Sequence, residues 1–103
     1  MYLAEASLQP PGITINTTAI EFLAKAAAQA PIEHRKWFTE IAITEVVIAH
    51  ELSHILRQQP SSKSAERLAH EFAQTLTGLP FSPHVYEAVL KQAVKCQITK
   101  NTI

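Results

Sequence analysis

Apolar residues along this chain recur mostly at helical spacing. Ile20, Leu23, Ala24 and Ala27 fall on one face of a first segment. Ala65, Leu68, Ala69, Phe72 and Leu76 share a face further on, and Val85, Val89, Leu90, Ala93 and Val94 share another near the end. The residues at the borders read as helix starts and stops. Thr18, with Glu21 three positions later, forms a capping box, and Pro31 stops that helix near Ala30. Ser62 or Ser64 caps the next helix, which runs to about Thr77 with Gly78 just beyond its end. Leu79-Pro80-Phe81 is an apolar connector, after which Ser82 caps a last helix with Pro83 at its first position. The tail from Lys100 to Ile103 is expected to fray.

Two stretches break this rhythm. Gln9-Pro10-Pro11-Gly12 is a turn signal ahead of the β-branched run Ile13-Thr14-Ile15, so residues 1–16 predict a small hairpin or an extended arm. In residues 36–43, Trp37, Thr39, Ile41 and Ile43 alternate with Phe38, Glu40 and Ala42, which suits a strand, with Thr44 capping a helix that begins at Glu45, but the alternation alone does not decide it. The same residues also fit the front of one long helix from Pro31 to Arg57, because no Gly or Pro intervenes. Within 45–57, Ile48, Leu52, Ile55 and Leu56 read as the packing face, and Val46, Val47, His50, Glu51 and His54 as the opposite one. A turn is expected over 58–62.

At 103 residues the chain forms one domain, residues 1–103, with a single modest core. Nine basic residues balance nine acidic ones, leaving no electrostatic footprint for nucleic acid or an anionic membrane. No run approaches the length of a membrane span, and Met1–Gly12 lacks a basic stretch followed by an apolar one. The single cysteine, Cys96, cannot close an internal disulfide, so a cytoplasmic protein is expected.

The chemistry concentrates in Thr44–Arg57, TEVVIAHELSHILR. His50 and His54 are four apart and so project from one helix face a turn apart, where both can reach one metal ion. Glu51 stands about 100° round the helix and flanks the same point, in position to take a proton from water. A helical pair of histidines is often an ordinary surface or core feature. Here, however, Glu51 is the one charged residue between Val46 and Leu56. A helix that apolar is buried, and it does not carry two histidines and a glutamate without partners for them.

Two histidines leave a zinc ion short of the three protein ligands common in catalytic sites. Glu66, His70, Glu71 and His84 are the downstream candidates. Glu66, one short loop on, can be brought opposite His50 and His54 by an antiparallel return. His70 shares a face with it and can support a ligand by hydrogen bonding. Glu71 turns about 140° away from Glu66. Taken alone, Glu66 is simply an acid in the first turn of a helix, where the dipole favours it. His84 and Tyr86 are candidate donors to a developing oxyanion, though they read more readily as ordinary residues at a helix start. His34 reads as a surface residue.

HELSH at 50–54, with Val47 three residues ahead, followed by ERLAHEFAQTLTGLP at 66–80, resembles the ImmA/IrrE family of gluzincin metallopeptidases. The resemblance covers residues 44–80, with Glu66, Arg67, Ala69, Phe72, Ala73 and Leu76 in register and Pro80 one residue late. His70 stands where the family usually has Asn or Asp. The size is closer to that of the minigluzincins, small single-domain members that can be latent. The resemblance implies an α+β, helix-dominated, minimal zincin-like domain with a small β element ahead of the HExxH helix. The all-α form with a single helix over 31–57 is the alternative. It also implies Zn2+ held by His50, His54 and Glu66, Glu51 as general base, and hydrolysis of a peptide or protein substrate. A latent or non-catalytic zinc-binding regulatory or interaction module is the competing function.

Overall fold

The computed structural model describes residues 2–58 and 62–101, with side chains described as far as Cys96. It is helix-dominated α+β: an N-terminal hairpin, then four helices (α1–α4), the first two linked by short 3₁₀ turns. Strands β1 (Ala4–Leu8) and β2 (Pro11–Ile15) pair antiparallel, with Ala4 opposite Ile15 and Leu8 opposite Pro11 around a Gln9-Pro10 loop. Burial alternates along the hairpin, so Ala4, Ala6, Leu8, Ile13 and Ile15 form its inward face. The hairpin packs against α2.

Helix α1 (Thr17–Lys25) is capped by Asn16, not by Thr18. The Asn16 side-chain oxygen accepts from the Ala19 N–H at 3.1 Å, and its amide donates to the Tyr2 carbonyl at 2.8 Å. An Asn that both caps the helix and ties it to the chain ahead of β1 outcompetes a Thr two residues later. The helix also stops at Lys25 instead of near Ala30, giving way to 3₁₀ turns at Ala27–Gln29 and Ile32–Trp37. Arg35 donates to the Ala30 and Ala28 carbonyls at 3.1 and 2.9 Å, satisfying acceptors left over where the helix ends.

The strand expected over 36–43 is not formed. Helix α2 runs Glu40–Arg57, and Thr39, not Thr44, caps it, its hydroxyl accepting from the Ala42 N–H at 3.1 Å. A strand there would need Ile41 and Ile43 on the same side. Ile43 is fully buried while Ile41 is 75% exposed, which only a helical period reconciles. The single long helix from Pro31 is not formed either, since Phe38 and Thr39 leave helical geometry.

The packing face of α2 is also not the expected one, of which Leu52 and Ile55 are half-buried. Ile43, Val46, Val47, Ala49, Ser53 and His54 are buried, whereas Ile48 and Leu56 are exposed. Because α2 is apolar nearly all round, its periodicity alone does not say which side turns inward. The side bearing the histidines does so because α3 and the hairpin pack there.

Helix α3 (Lys63–Thr77) begins at Ser62, whose hydroxyl accepts from the Ala65 N–H at 3.2 Å. It ends at Gly78, whose φ of 76° is the left-handed conformation that a glycine adopts most readily. Its buried face is Ala65, Ala69, His70 and Ala73, while Leu76, expected inside, is exposed. Helix α4 (His84–Asn101) follows the buried connector residues Leu79 and Phe81 and contributes Tyr86, Val89, Leu90 and Ala93 to the core. The Ser82 hydroxyl accepts from the His84 N–H at 3.4 Å. His34 is half-buried against the Phe81 ring, centroids 4.3 Å apart, and is not the surface residue expected. Most of the turn expected over 58–62 (residues 59–61) and the last tail residues, 102–103, lie outside the described residues. Among the described residues no helix is long and apolar enough to cross a membrane.

Tyr86 joins the two halves of the core. Its ring packs edge-on against Phe38 and Phe81, and its hydroxyl donates to the Trp37 carbonyl at 2.7 Å. Tyr86→Phe removes that donor while the ring stays in place. It should lower stability by about 1–2 kcal/mol, or roughly 4–8 °C per kcal/mol in melting temperature, in thermal and urea denaturation. An unchanged midpoint would show that this hydrogen bond does not hold α4 to the rest.

Candidate metal centre

Helices α2 and α3 run side by side after a short connection, and Ala65, Ala69 and Ala73 give α3 a ridge of small side chains along the contact. Small residues at a helix crossing let the axes approach closely. That closeness brings Glu66, in the first turn of α3, against the histidines of α2. His50 Nε2 lies 2.9 Å from Glu66 Oε2, and His54 Nε2 lies 3.0 Å from Glu66 Oε1. One carboxylate thus spans both imidazoles. His50, His54 and Glu66 each offer a ligand atom, all within 4.8 Å of one another.

This donor set suits zinc. Bond lengths of about 2.0–2.2 Å in a tetrahedral site place ligand atoms about 3.3–3.5 Å apart. The side chains, now at hydrogen-bond separations of 2.9 and 3.0 Å, therefore need to spread by only a few tenths of an ångström to admit an ion. The His54 side chain is 7% exposed and that of His50 12%, while Glu66 is 34% exposed, so the group is walled by protein on the histidine side and open on the carboxylate side. Burial lowers the pKa of His50, partly offset by Glu66, which favours the neutral imidazole that a metal requires.

Glu51 flanks the group as its place in the motif predicts, its Oε1 3.9 Å from His50 Nε2. Burial pushes its carboxyl up to about 7, and the nearby Glu66 charge adds to the rise. A hydrogen bond from the Ala6 backbone of β1 acts the other way. The sequence offered no signal for that bond, because β1 lies far ahead of the motif and any residue supplies the same backbone donor. Glu71 is exposed and turned away from the group.

His70 sits beside the centre, its ring 4.5 Å from that of His50, and is only 6% exposed. Burial first, and then the neighbouring imidazoles, bring its pKa down to about 4. Its Nδ1 is buried without a hydrogen-bond partner, so that atom does not give the supporting hydrogen bond expected of this residue. On its other side the His70 ring meets His84, 4.0 Å away. Tyr86 is committed to the Trp37 carbonyl and does not serve as an oxyanion donor.

The group opens into a cleft of about 650 Å³ between β1, α2, α3 and α4. Leu3, Val46, Val47, Leu90 and Val94 form apolar wall, while His50, Glu51, Glu66 and His70 form the polar side. Leu3 and the α4 residues had been assigned no part in the site, since neither chain end carries a motif. No protein-family model, curated protein or solved structure matches this chain, so the geometry stands without a relative to compare it with.

Proposed function

We propose that this protein is a zinc-dependent peptide hydrolase of gluzincin type. Three ligand atoms converge from two helices at the polar wall of an open cleft, with a buried carboxyl at their flank, and that juxtaposition carries the reading. His50, His54 and Glu66 hold the ion, which when bound makes water more acidic and polarises a carbonyl. Glu51 holds and moves the proton: its carboxylate takes one from water and delivers it to the leaving amine. Its place at the flank of the ligand atoms, inside the cleft, is what suits Glu51 to that task. Val46, Val47, Leu3 and Leu90 receive an apolar side chain of the substrate and keep bulk water from the flank of Glu51. A water-accessible cleft over the ligands is what a closed structural zinc site lacks, and it favours the catalytic reading over a latent or purely regulatory module.

The ligand assignment predicts a ranking. Glu66→Ala should weaken the tightest zinc equivalent by far more than the ~10–100-fold expected of a supporting residue, whereas Glu71→Ala should leave it unchanged. Competitive chelator titration of the two variants measures this, and equal losses would remove Glu66 from the ligand set.

Glu51→Gln should retain zinc and abolish peptide cleavage, because an amide cannot act as a base near neutral pH. Cleavage of a peptide library, assayed alongside zinc content, tests it; wild-type-like cleavage by the variant would exclude Glu51 as the base.

The same residue predicts a pH effect in protein stripped of metal by chelation. With its folded pKa raised from 4.5 to about 7, the native carboxyl keeps its proton while the unfolded one ionises. The native state therefore binds more protons between those values, and stability falls as pH rises through that window. Glu51→Gln removes this loss. The variant should match wild type at pH 4 and exceed it at pH 8 by on the order of 1 kcal/mol, a few degrees of melting temperature. Equal melting temperatures at pH 8 would show that the Glu51 carboxyl is not held in a desolvated setting.

A further inference from the structure

A second set of metal-binding side chains comes together beside the first. His70 on α3 and His84 and Glu87 on α4 each offer a ligand atom, and these too lie within 4.8 Å of one another. His84 and Glu87 are three residues apart in the first turn of α4, with His84 Nδ1 3.5 Å from Glu87 Oε2. That spacing puts both side chains on one helix face. His70 supplies the opposite wall, its ring 4.0 Å from that of His84 and tilted by 47°.

Ordinary packing does not account for this arrangement. A buried imidazole normally satisfies its nitrogens; the Nδ1 atoms of His34 and His70 both lack a partner, but His34 lies against the Phe81 ring, whereas His70 lies against a second imidazole with a carboxylate close by. Were filling space its only role, an apolar ring would do so without leaving a polar atom desolvated. Two imidazoles in contact with a carboxylate at their edge are instead the donors preferred by borderline divalent ions.

We propose that His70, His84 and Glu87 form a second metal site, distinct from His50, His54 and Glu66, that takes a divalent transition-metal ion of the zinc class. Imidazole donors disfavour calcium or magnesium, which select oxygen ligands. His84 and Glu87 are 65% and 53% exposed, so this site is open to solvent and exchanges its ion more readily than the first. Its ligands join α3 to α4, and an ion bound there clamps the first turn of α4 across the cleft mouth. The proposal stands apart from the peptidase reading, because it requires neither hydrolysis nor Glu51.

The test is a zinc titration of the full chain stripped of metal, followed by calorimetry and by metal analysis after desalting, with cobalt(II) absorption as a second readout. Wild type is expected to take two ions per chain, the second at least tenfold weaker, with a further rise in melting temperature as it fills. His84→Ala and Glu87→Gln change exposed residues and so leave the fold intact. Each should weaken the second equivalent at least tenfold and spare the first. His54→Ala should abolish the first and spare the second. A single equivalent in wild type, lost in His54→Ala and unaffected by His84→Ala, overturns this proposal and leaves the zinc reading of the first site intact. A second equivalent that persists unchanged in the His84→Ala/Glu87→Gln double variant also overturns it. Loss of the second equivalent in the exposed variants, with the first preserved, establishes it.

Discussion

Glu66 meets His50 and His54 because α3 can lie close along α2, and the spacing of those helices governs the rest of the structure. Ala65, Ala69 and Ala73 form the ridge of α3 that turns towards α2. Larger residues there would push the axes apart, and a separation of an ångström or two is enough to break a contact of 2.9 Å. The same closeness turns the histidine-bearing side of α2 into its packing side and leaves Ile48 and Leu56 in solvent. Exposed apolar residues are thus a by-product of placing polar ones inside.

The core is divided accordingly. Away from the α2–α3 seam it is apolar and aromatic, with Phe38, Phe81 and Tyr86 packed on one another. Along the seam sit the buried polar residues Ser53, His54 and His70. A chain this size has little stability to spare, and each desolvated polar group draws on it. Proteins keep such groups where function demands them and are less stable for it.

The parts of the fold that were legible in the sequence were those decided locally. Ser62 and Gly78 bound α3 as expected, since a cap depends on a few neighbouring residues. The grouping of the histidine pair with Glu51 was readable from spacing alone, whereas Glu66 was one of four downstream candidates, singled out by helix geometry together with the family resemblance. Asn16 replaced Thr18 as a cap because its amide also reaches Tyr2, a contact across the hairpin that no local pattern contains. Over residues 36–43 the lean to a strand failed because five apolar positions, Trp37, Phe38, Ile41, Ala42 and Ile43, in so short a span fit either period. His84 and Glu87 carried a usable signal, their i,i+3 spacing, but it meant little until α3 brought His70 alongside.

The cleft has an uneven origin along the chain. Its candidate ligands, and the Val46 and Val47 part of its apolar wall, come from two consecutive helices in the middle, whereas the rest of that wall comes from Leu3 near the start and from Leu90 and Val94 near the end. The ligand group therefore closes through contacts of short sequence separation, and the outer part of the wall through long ones. Loop-closure entropy makes the second kind slower to form. The His50, His54 and Glu66 side chains can thus come together in a helical hairpin before there is a cleft around them, and docking of the two chain ends is what gives that group a shaped surround.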